Sequence, residues 1–296
     1  MPLEKTKASF RGLTAFQLKV LALVIMTVDH IGAFAFEIPL VEQYREILRS
    51  IGRLAAPLFL FLLVQSIRHT RSKPKFLLRL YLAGMCTELF VTAMNVCLGE
   101  VFNYFTPGNI MFTFFYTALY IVLIERLIAA WREKNVRALM GAAAVFAASL
   151  LPTLFFGALY DAVYPAGAST RVQFLISGLY NSLLPTLGGS DYGIGFVILG
   201  VAMYFVGTKR RQCIVFAVFC LFCIVGSRVA PTEVYMVQSF GFFQTFFDLF
   251  QCRMIFALPF MLLYSGERGR SCKWFFYWYY PLHREVIFIL AHLLAG

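Results

Sequence analysis

The amino-acid sequence predicts an all-α, polytopic transmembrane helix bundle of about nine spanning helices plus one short re-entrant or half-helix. Three observations carry that prediction. Of the 296 residues, 60% are hydrophobic and 14% charged, with a mean hydropathy of +0.75, more apolar surface than a water-soluble domain can hide. Apolar runs of about 20 residues, enough to cross about 30 Å of hydrocarbon as helix, recur from end to end. The basic residues behind the net charge of +11 sit in short loops between those runs. That is the distribution of a multi-pass membrane protein, and it excludes a nucleic-acid-binding reading of the charge. No globular stretch separates the runs, so residues 1–296 read as a single integral membrane domain.

The first span, 15–36, follows Lys5, Lys7 and Arg11, is too long for a signal-peptide core and lacks a cleavage site, so it reads as an uncleaved anchor. Further spans fall at 48–67, 76–97, 108–128, 138–157, 192–207, 212–230, 239–264 and 274–294. The piece at 172–187 is short, broken by Gly178 and Pro185 and followed by Gly188 and Gly189, and reads as the re-entrant segment. With a cytoplasmic N-terminus and that piece not crossing, eighteen basic residues lie inside: three before the first span, five in 68–79, four in 126–137, three in 209–211 and three in 268–273. Only Arg45, Arg49 and Arg171 lie outside. This bias favours nine crossings of the cell inner (cytoplasmic) membrane, N-terminus in and C-terminus out. Ten crossings is the alternative, at the cost of exporting Lys209, Arg210 and Arg211.

Asp29 and His30 stand side by side well inside the first span. A carboxylate at a helix centre costs roughly 2.5–3.5 kcal/mol to insert, so an intramembrane ionisable pair is where chemistry is expected. Adjacent residues point about 100° apart on a helix, so each serves a different neighbour. Arg53, at similar depth in the second span, is the expected partner of Asp29, which leaves His30 for a substrate. Lys19 shares a face with His30, roughly 16 Å nearer the cytoplasm, and either lines a threaded ligand or snorkels to the surface.

The loop RHTRSKPKFLLR at 68–79 is either a lipid-headgroup contact or a phosphate clamp built from Arg68, His69, Arg71 and Lys73. Asn109, Thr113, Asp191, Tyr192, Gln244, Asp248, Gln251, Arg253, Tyr280 and His283 are further polar points near spans. Each serves equally well as helix–helix glue. Gln244, Asp248 and Gln251 share one helix face, and Pro281 is placed to kink the last span or free backbone groups near His283. The seven cysteines, including the Cys220/Cys223 pair, read as small apolar packers, and no metal site is expected.

The ordered set VDHIG (28–32), IGRLAAPLFLFLL (51–63) followed by RHT, NIMFTF (109–114), DYG (191–193), GERG (266–269) and FYWYYPLH (276–283) resembles the TraX family of membrane proteins. The likeness runs in order from about residue 12 to 290. That family's founding member is a pilin N-terminal acetyltransferase, and the family is similar to the wider transmembrane acyltransferase superfamily, including the acyltransferase-3 enzymes. The resemblance implies acetyl-CoA as a cytosolic acyl donor. It implies an acceptor on the extracytoplasmic side: a pilin N-terminus, a cell-wall glycan, a sugar or a lipid headgroup. It implies a catalytic role for His30, with Asp29, Arg53, Asp191 and His283 in the same site. Lys19, Arg68, His69, Arg71 and Arg253 are then the expected donor-binding cations. Tyr192, Asn109, Thr113 and Tyr280 are the expected substrate contacts. Either His30 or His283 is the base.

Two other classes fit the composition. A transporter or permease of a small polar solute would use the same buried ionisable groups, but it predicts symmetry-related halves that the sequence lacks. An assembly or scaffold protein needs no catalytic histidine.

Overall fold

The computed structural model describes residues 12–102, 109–163, 169–187, 191–229 and 249–295. The described residues are helical apart from short connections and one isolated bridge, so the all-α polytopic bundle holds. In chain order the helices are α1 (Ala15–Phe34), α2 (Pro39–Gly52), α3 (Ala55–Arg68), α4 (Lys73–Phe102), α5 (Ile110–Arg132), α6 (Val136–Val163), α7 (Thr170–Leu183), α8 (Gly193–Phe205), α9 (Lys209–Val229), α10 (Leu249–Cys252), α11 (Leu258–Leu262) and α12 (Lys273–Ala295). A 3₁₀ turn, Arg253–Ala257, joins α10 to α11. Six described stretches are long and apolar enough to span a bilayer: α1, the α2–α3 unit, most of α4, α5, the first part of α6, and α9. Two shorter apolar helices lie at 193–205 and 250–262.

The first span begins with a capping box. Thr14 Oγ1 accepts from the Gln17 amide and Gln17 Oε1 accepts from the Thr14 amide, satisfying two of the donors that a helix start leaves open. Leu13 pairs with the segment before α12 through Leu13 N to Leu263 O at 2.7 Å and Ser265 N to Leu13 O at 2.8 Å. Gly12 is required there: its φ is +84°, and a Cβ would lie 2.4 Å from Leu263 O. This tie sets α12 beside α1, running in the same direction. Thr27 meets Tyr279, His30 meets His283, Phe34 meets Phe288 and Glu37 meets His292. Through Pro281, α12 stays helical.

The second span departs from expectation. The helix starts at Pro39, nine residues earlier than expected at 48, and is interrupted at Arg53–Leu54 before α3 resumes. The reason is an inverted amphipathic pattern. Leu40, Tyr44, Ile47 and Ile51, spaced as one helical stripe, are exposed, while Arg49 and Ser50 turn toward the bundle and the exposed Glu46 pairs with Arg253. Polar residues that suggest a loop on an apolar scale therefore belong to a helix with a lipid-facing apolar side.

The core forms around α3, whose Leu58, Leu60, Phe61, Val64 and Ile67 are fully buried and pack with α1, α5, α8 and α9. The expected short segment at 172–187 is α7, only fourteen residues long, lying against α4. Gly178 permits that approach, since a Cβ there would lie 1.9 Å from Thr92 Oγ1. The stretch 239–248 of the eighth expected span, with Gln244 and Asp248, lies outside the described residues.

Candidate active site

Asp29 turns to α2. Its carboxylate accepts from Arg49 Nη1 at 2.8 Å and from Arg53 Nη2 at 2.7 Å. Arg53 is also held by the Arg49 carbonyl at 3.2 Å and by Gln251 Oε1 at 3.1 Å, with its guanidinium over the Phe250 ring. The expected Asp29–Arg53 pair is present, and Arg49 is a second partner. Gly52 permits it, because a Cβ at 52 would lie 2.1 Å from Asp29 Oδ1. Gly52→Ala is therefore expected to cost about 1–3 kcal/mol, the range for overpacking a close contact. A melting curve of the purified protein checks it, and an unchanged midpoint would refute the crowding argument.

His30 turns to α12. Its Nδ1 lies 2.5 Å from His283 Nε2 and the two rings stack at 4.7 Å. His283 Nδ1 lies 2.8 Å from the Tyr279 carbonyl oxygen, and its ring stacks on Tyr279 at 4.8 Å. A carbonyl only accepts, so His283 carries its proton on Nδ1 and offers Nε2 as a lone pair. His30 must donate its Nδ1 proton to that lone pair, which leaves the lone pair of neutral His30 on Nε2. The backbone thus sets the tautomers of both rings and makes His30 the member with an unprotonated nitrogen to offer. Tyr279 is itself fixed: Thr27 Oγ1 donates to Leu23 O, so the Tyr279 hydroxyl donates to Thr27 at 2.7 Å.

A third group binds the helices around this stack. Asn109 caps α5, accepting from Met111 N at 3.1 Å, and donates to Gly84 O and Glu88 Oε2. Tyr280 OH accepts from Ile110 N at 3.2 Å, and Thr113 Oγ1 donates to Asp191 O at 2.5 Å. The Asp191 carboxylate lies within electrostatic reach of Arg284 and Arg53. Tyr192 occupies the left-handed region at φ +62° and stacks on Phe196. Asn109, Thr113 and Tyr280, expected as substrate contacts, are nearly fully buried and make these bonds between helices, and Tyr280 also lines a cavity.

Two cavities lie on the side of this assembly facing the basic loops. An apolar one of about 170 Å³ is lined by Lys19, Leu23, Met26, Leu63, Phe76, Leu80, Phe114, Tyr279 and Tyr280, among others. Met26 and Tyr279 are each one helical turn from a histidine of the stack. Lys19 holds its ammonium 5.8 Å from the Phe276 ring centre on the wall of this cavity. The second cavity, about 580 Å³ and open, is lined by Thr70, Arg71, Ser72, Lys73, Val122, Glu125 and Arg126, among others.

The expected donor-binding cations are accordingly divided. Arg71 lines the open cavity and Lys19 the apolar one. Arg68 is fastened to α8, donating to the Tyr204 carbonyl with its guanidinium over the Tyr204 ring, and His69 is an exposed C-cap. Arg253 stands apart from these. It bonds Ser50 and Glu46 and stacks on Phe250 beside the Asp29 cluster, at the far end of α3 from Arg68. Its sequence neighbourhood carries no mark of which end of the bundle α10 reaches.

Sequence reasoning gave no site role to Arg49, Glu88, Tyr279 or Arg284. Glu88 had a signal available, being a carboxylate inside the apolar run YLAGMCTELFV, and Arg284 adjoins His283. Arg49 had none, because its role depends on α2 folding back across α1.

A family described as TraX protein matches residues 15–157. Over that stretch the chain is similar to the TraX family of membrane proteins. The match contains Asp29, His30, Arg49, Arg53 and both cavity-lining segments of α4 and α5, while Asp191 and the α12 residues lie beyond it. The chain is also 29% identical over 171 residues to a protein named Probable fimbrial assembly protein FimC, serogroup H1, from Dichelobacter nodosus, covering 56% of this chain and 69% of that one. No solved structure matches.

Proposed function

We propose that this protein is a membrane-embedded acetyltransferase that moves an acetyl group from cytosolic acetyl-CoA to an acceptor on the opposite side of the membrane. A pilin-type N-terminal amine is the first acceptor to test, and a glycan, sugar or lipid headgroup the next. The carrying observation is the histidine pair whose tautomers are set by the Tyr279 carbonyl, placed one helical turn above an apolar cavity. The resemblance to a pilin acetyltransferase and the likeness to a fimbrial assembly protein support the choice of acceptor.

The acceptor amine or hydroxyl attacks the thioester carbonyl as His30 Nε2 takes its proton, the C–S bond breaks, and the same proton passes to the departing CoA thiolate. His283 positions the base. Arg53 holds Asp29 in its buried ion cluster, or supplies a donor to the developing oxyanion, which is worth on the order of 3 kcal/mol. The reading implies the inner membrane, with the basic loops cytoplasmic.

The direct test is transfer of labelled acetyl from acetyl-CoA to a pilin-type N-terminal peptide by the protein in proteoliposomes. Absence of transfer to any of the four acceptor classes, with solute uptake independent of CoA, would replace this reading by a transporter. For the base, His283→Ala is expected to lower kcat about 100-fold. His283→Gln, whose amide can both donate to a carbonyl and accept from His30, is expected to restore most of it. Equal losses in the two variants would sink the tautomer argument. For orientation, a Ser169→Cys variant is expected to react with an impermeant maleimide in intact cells, and a Glu133→Cys variant only after permeabilisation. The reverse pattern would invert the topology.

A further inference from the structure

The open cavity at the basic end has features that the histidine site does not use. Lys73 opens α4 and pairs with Glu125 Oε2 across the gap to α5, and Glu125 Oε1 accepts from the Tyr204 hydroxyl at 2.6 Å. Glu125 is thereby an anion fixed from two sides on the cavity wall. Around it stand Arg71 and Arg126, neither with an ion-pair partner among the described residues, and the hydroxyl side chains of Thr70 and Ser72. Three cations face one carboxylate, leaving an excess of two positive charges in a space of about 580 Å³, within the size range of small-ligand sites.

Two helices carry this cavity toward the apolar one. On α4, Lys73 lines the open cavity while Phe76 and Leu80, at i+3 and i+7, line the apolar one. On α5, Met111 and Phe114 line the apolar cavity while Val122, Glu125 and Ala129 line the open one, all on one stripe of i+3 and i+4 steps. One face of each helix therefore runs from a cation-rich mouth to an apolar interior that ends a turn from the histidines. A ligand matching that sequence of environments has a multiply phosphorylated end and a long, weakly polar arm.

We infer that Arg71, Lys73 and Arg126 bind the phosphate groups of the acyl donor's nucleotide, and that Glu125 is a built-in competitor anion that holds Lys73 until phosphate displaces it. This rests on the acetyl-CoA reading above and adds to it the residues that select the phosphorylated end and the carboxylate that tempers its affinity. The tempering has a chemical purpose, since CoA must leave after each turnover. Removing the Glu125 charge frees Lys73 for phosphate and removes a like-charge repulsion from the cavity. Removing Arg71 or Arg126 loses a charge-assisted contact.

The test uses adenosine 3′,5′-bisphosphate, the phosphorylated end of CoA without its arm, titrated against the full chain in phosphatidylcholine nanodiscs by calorimetry. Acetyl-CoA is titrated in parallel. Arg71→Ala and Arg126→Ala are each expected to weaken the bisphosphate about tenfold, and Glu125→Gln to tighten it several-fold. Unchanged bisphosphate affinity in both arginine variants, with acetyl-CoA still bound by the wild type, overturns this assignment and leaves the donor reading standing. No binding of either compound to folded wild-type protein overturns both. A second arm adds phosphatidylglycerol to the nanodiscs. Nucleotide binding that persists there supports the assignment. If phosphatidylglycerol abolishes nucleotide binding in the wild type, and raises its melting temperature but not that of Arg71→Ala, the cavity is a lipid-headgroup site and the assignment fails.

Discussion

His30→Ala is expected to lower acetyl transfer by roughly 10²- to 10⁴-fold, the range for losing a positioned general base, while acetyl-CoA affinity stays within a few-fold of wild type. The separation follows from placement. His30 sits a full turn beyond the apolar cavity, and the cations at the open mouth, Arg71, Lys73 and Arg126, are forty residues and more along the chain, while Lys19 lines the apolar cavity about three helical turns before His30 on α1. Truncating the imidazole also removes the donor to His283 Nε2, but His283 keeps its bond to the Tyr279 carbonyl and its stacking on the Tyr279 ring, so α12 should hold its position. Turnover and binding are read on the same preparation, transfer of labelled acetyl for one and calorimetry for the other. Full activity in the variant would remove the base assignment altogether.

Asp29→Ala is expected to be the most destabilising single change, by about 3–5 kcal/mol. Removing one member of a buried ion cluster leaves its partners charged and uncompensated in low dielectric. Here two guanidiniums, Arg49 and Arg53, converge on one carboxylate, and its side chain and that of Arg53 are nearly closed to solvent. The melting temperature of the detergent-purified variant measures it. Asp29→Ala combined with Arg49→Leu and Arg53→Met should recover much of the loss, because an apolar replacement of the whole cluster removes the desolvation penalty with the charges. If Asp29→Ala alone melted like the wild type, the cluster would be water-exposed in the membrane, contrary to its burial. The two variants differ in kind: one should be a stable protein that does not turn over, the other an unstable one whatever its activity.

How much of this was legible without coordinates depends on the range of the interaction. Helix identity was legible because apolar run length is a local property and the bilayer fixes the ruler. The Asp29–Arg53 pair was legible because both charges sit at similar depth in consecutive spans. That His30 and His283 share a site came only from the family resemblance, since contact across 253 residues leaves no trace in one chain's periodicity. The start of α2 at Pro39 was missed for a sharper reason. Mean apolarity falls where one helix face is charged, and only the spacing of Leu40, Tyr44, Ile47 and Ile51 betrays that the other face is not. The place of Arg253 beside the Asp29 cluster was not legible either, because a broken helix reverses the usual link between sequence position and depth.

The histidine relay ends on a backbone oxygen, and an amide carbonyl takes no proton at working pH. Whatever His30 removes from the acceptor it can pass only to the departing thiol. On the proposed mechanism, each cycle therefore trades an acetyl group travelling outward for a hydrogen travelling inward on CoA, a swap of neutral groups between two carriers. Such an exchange moves no net charge through the bilayer. The transmembrane voltage then neither drives nor opposes it, and the rate in energised and de-energised vesicles should be the same.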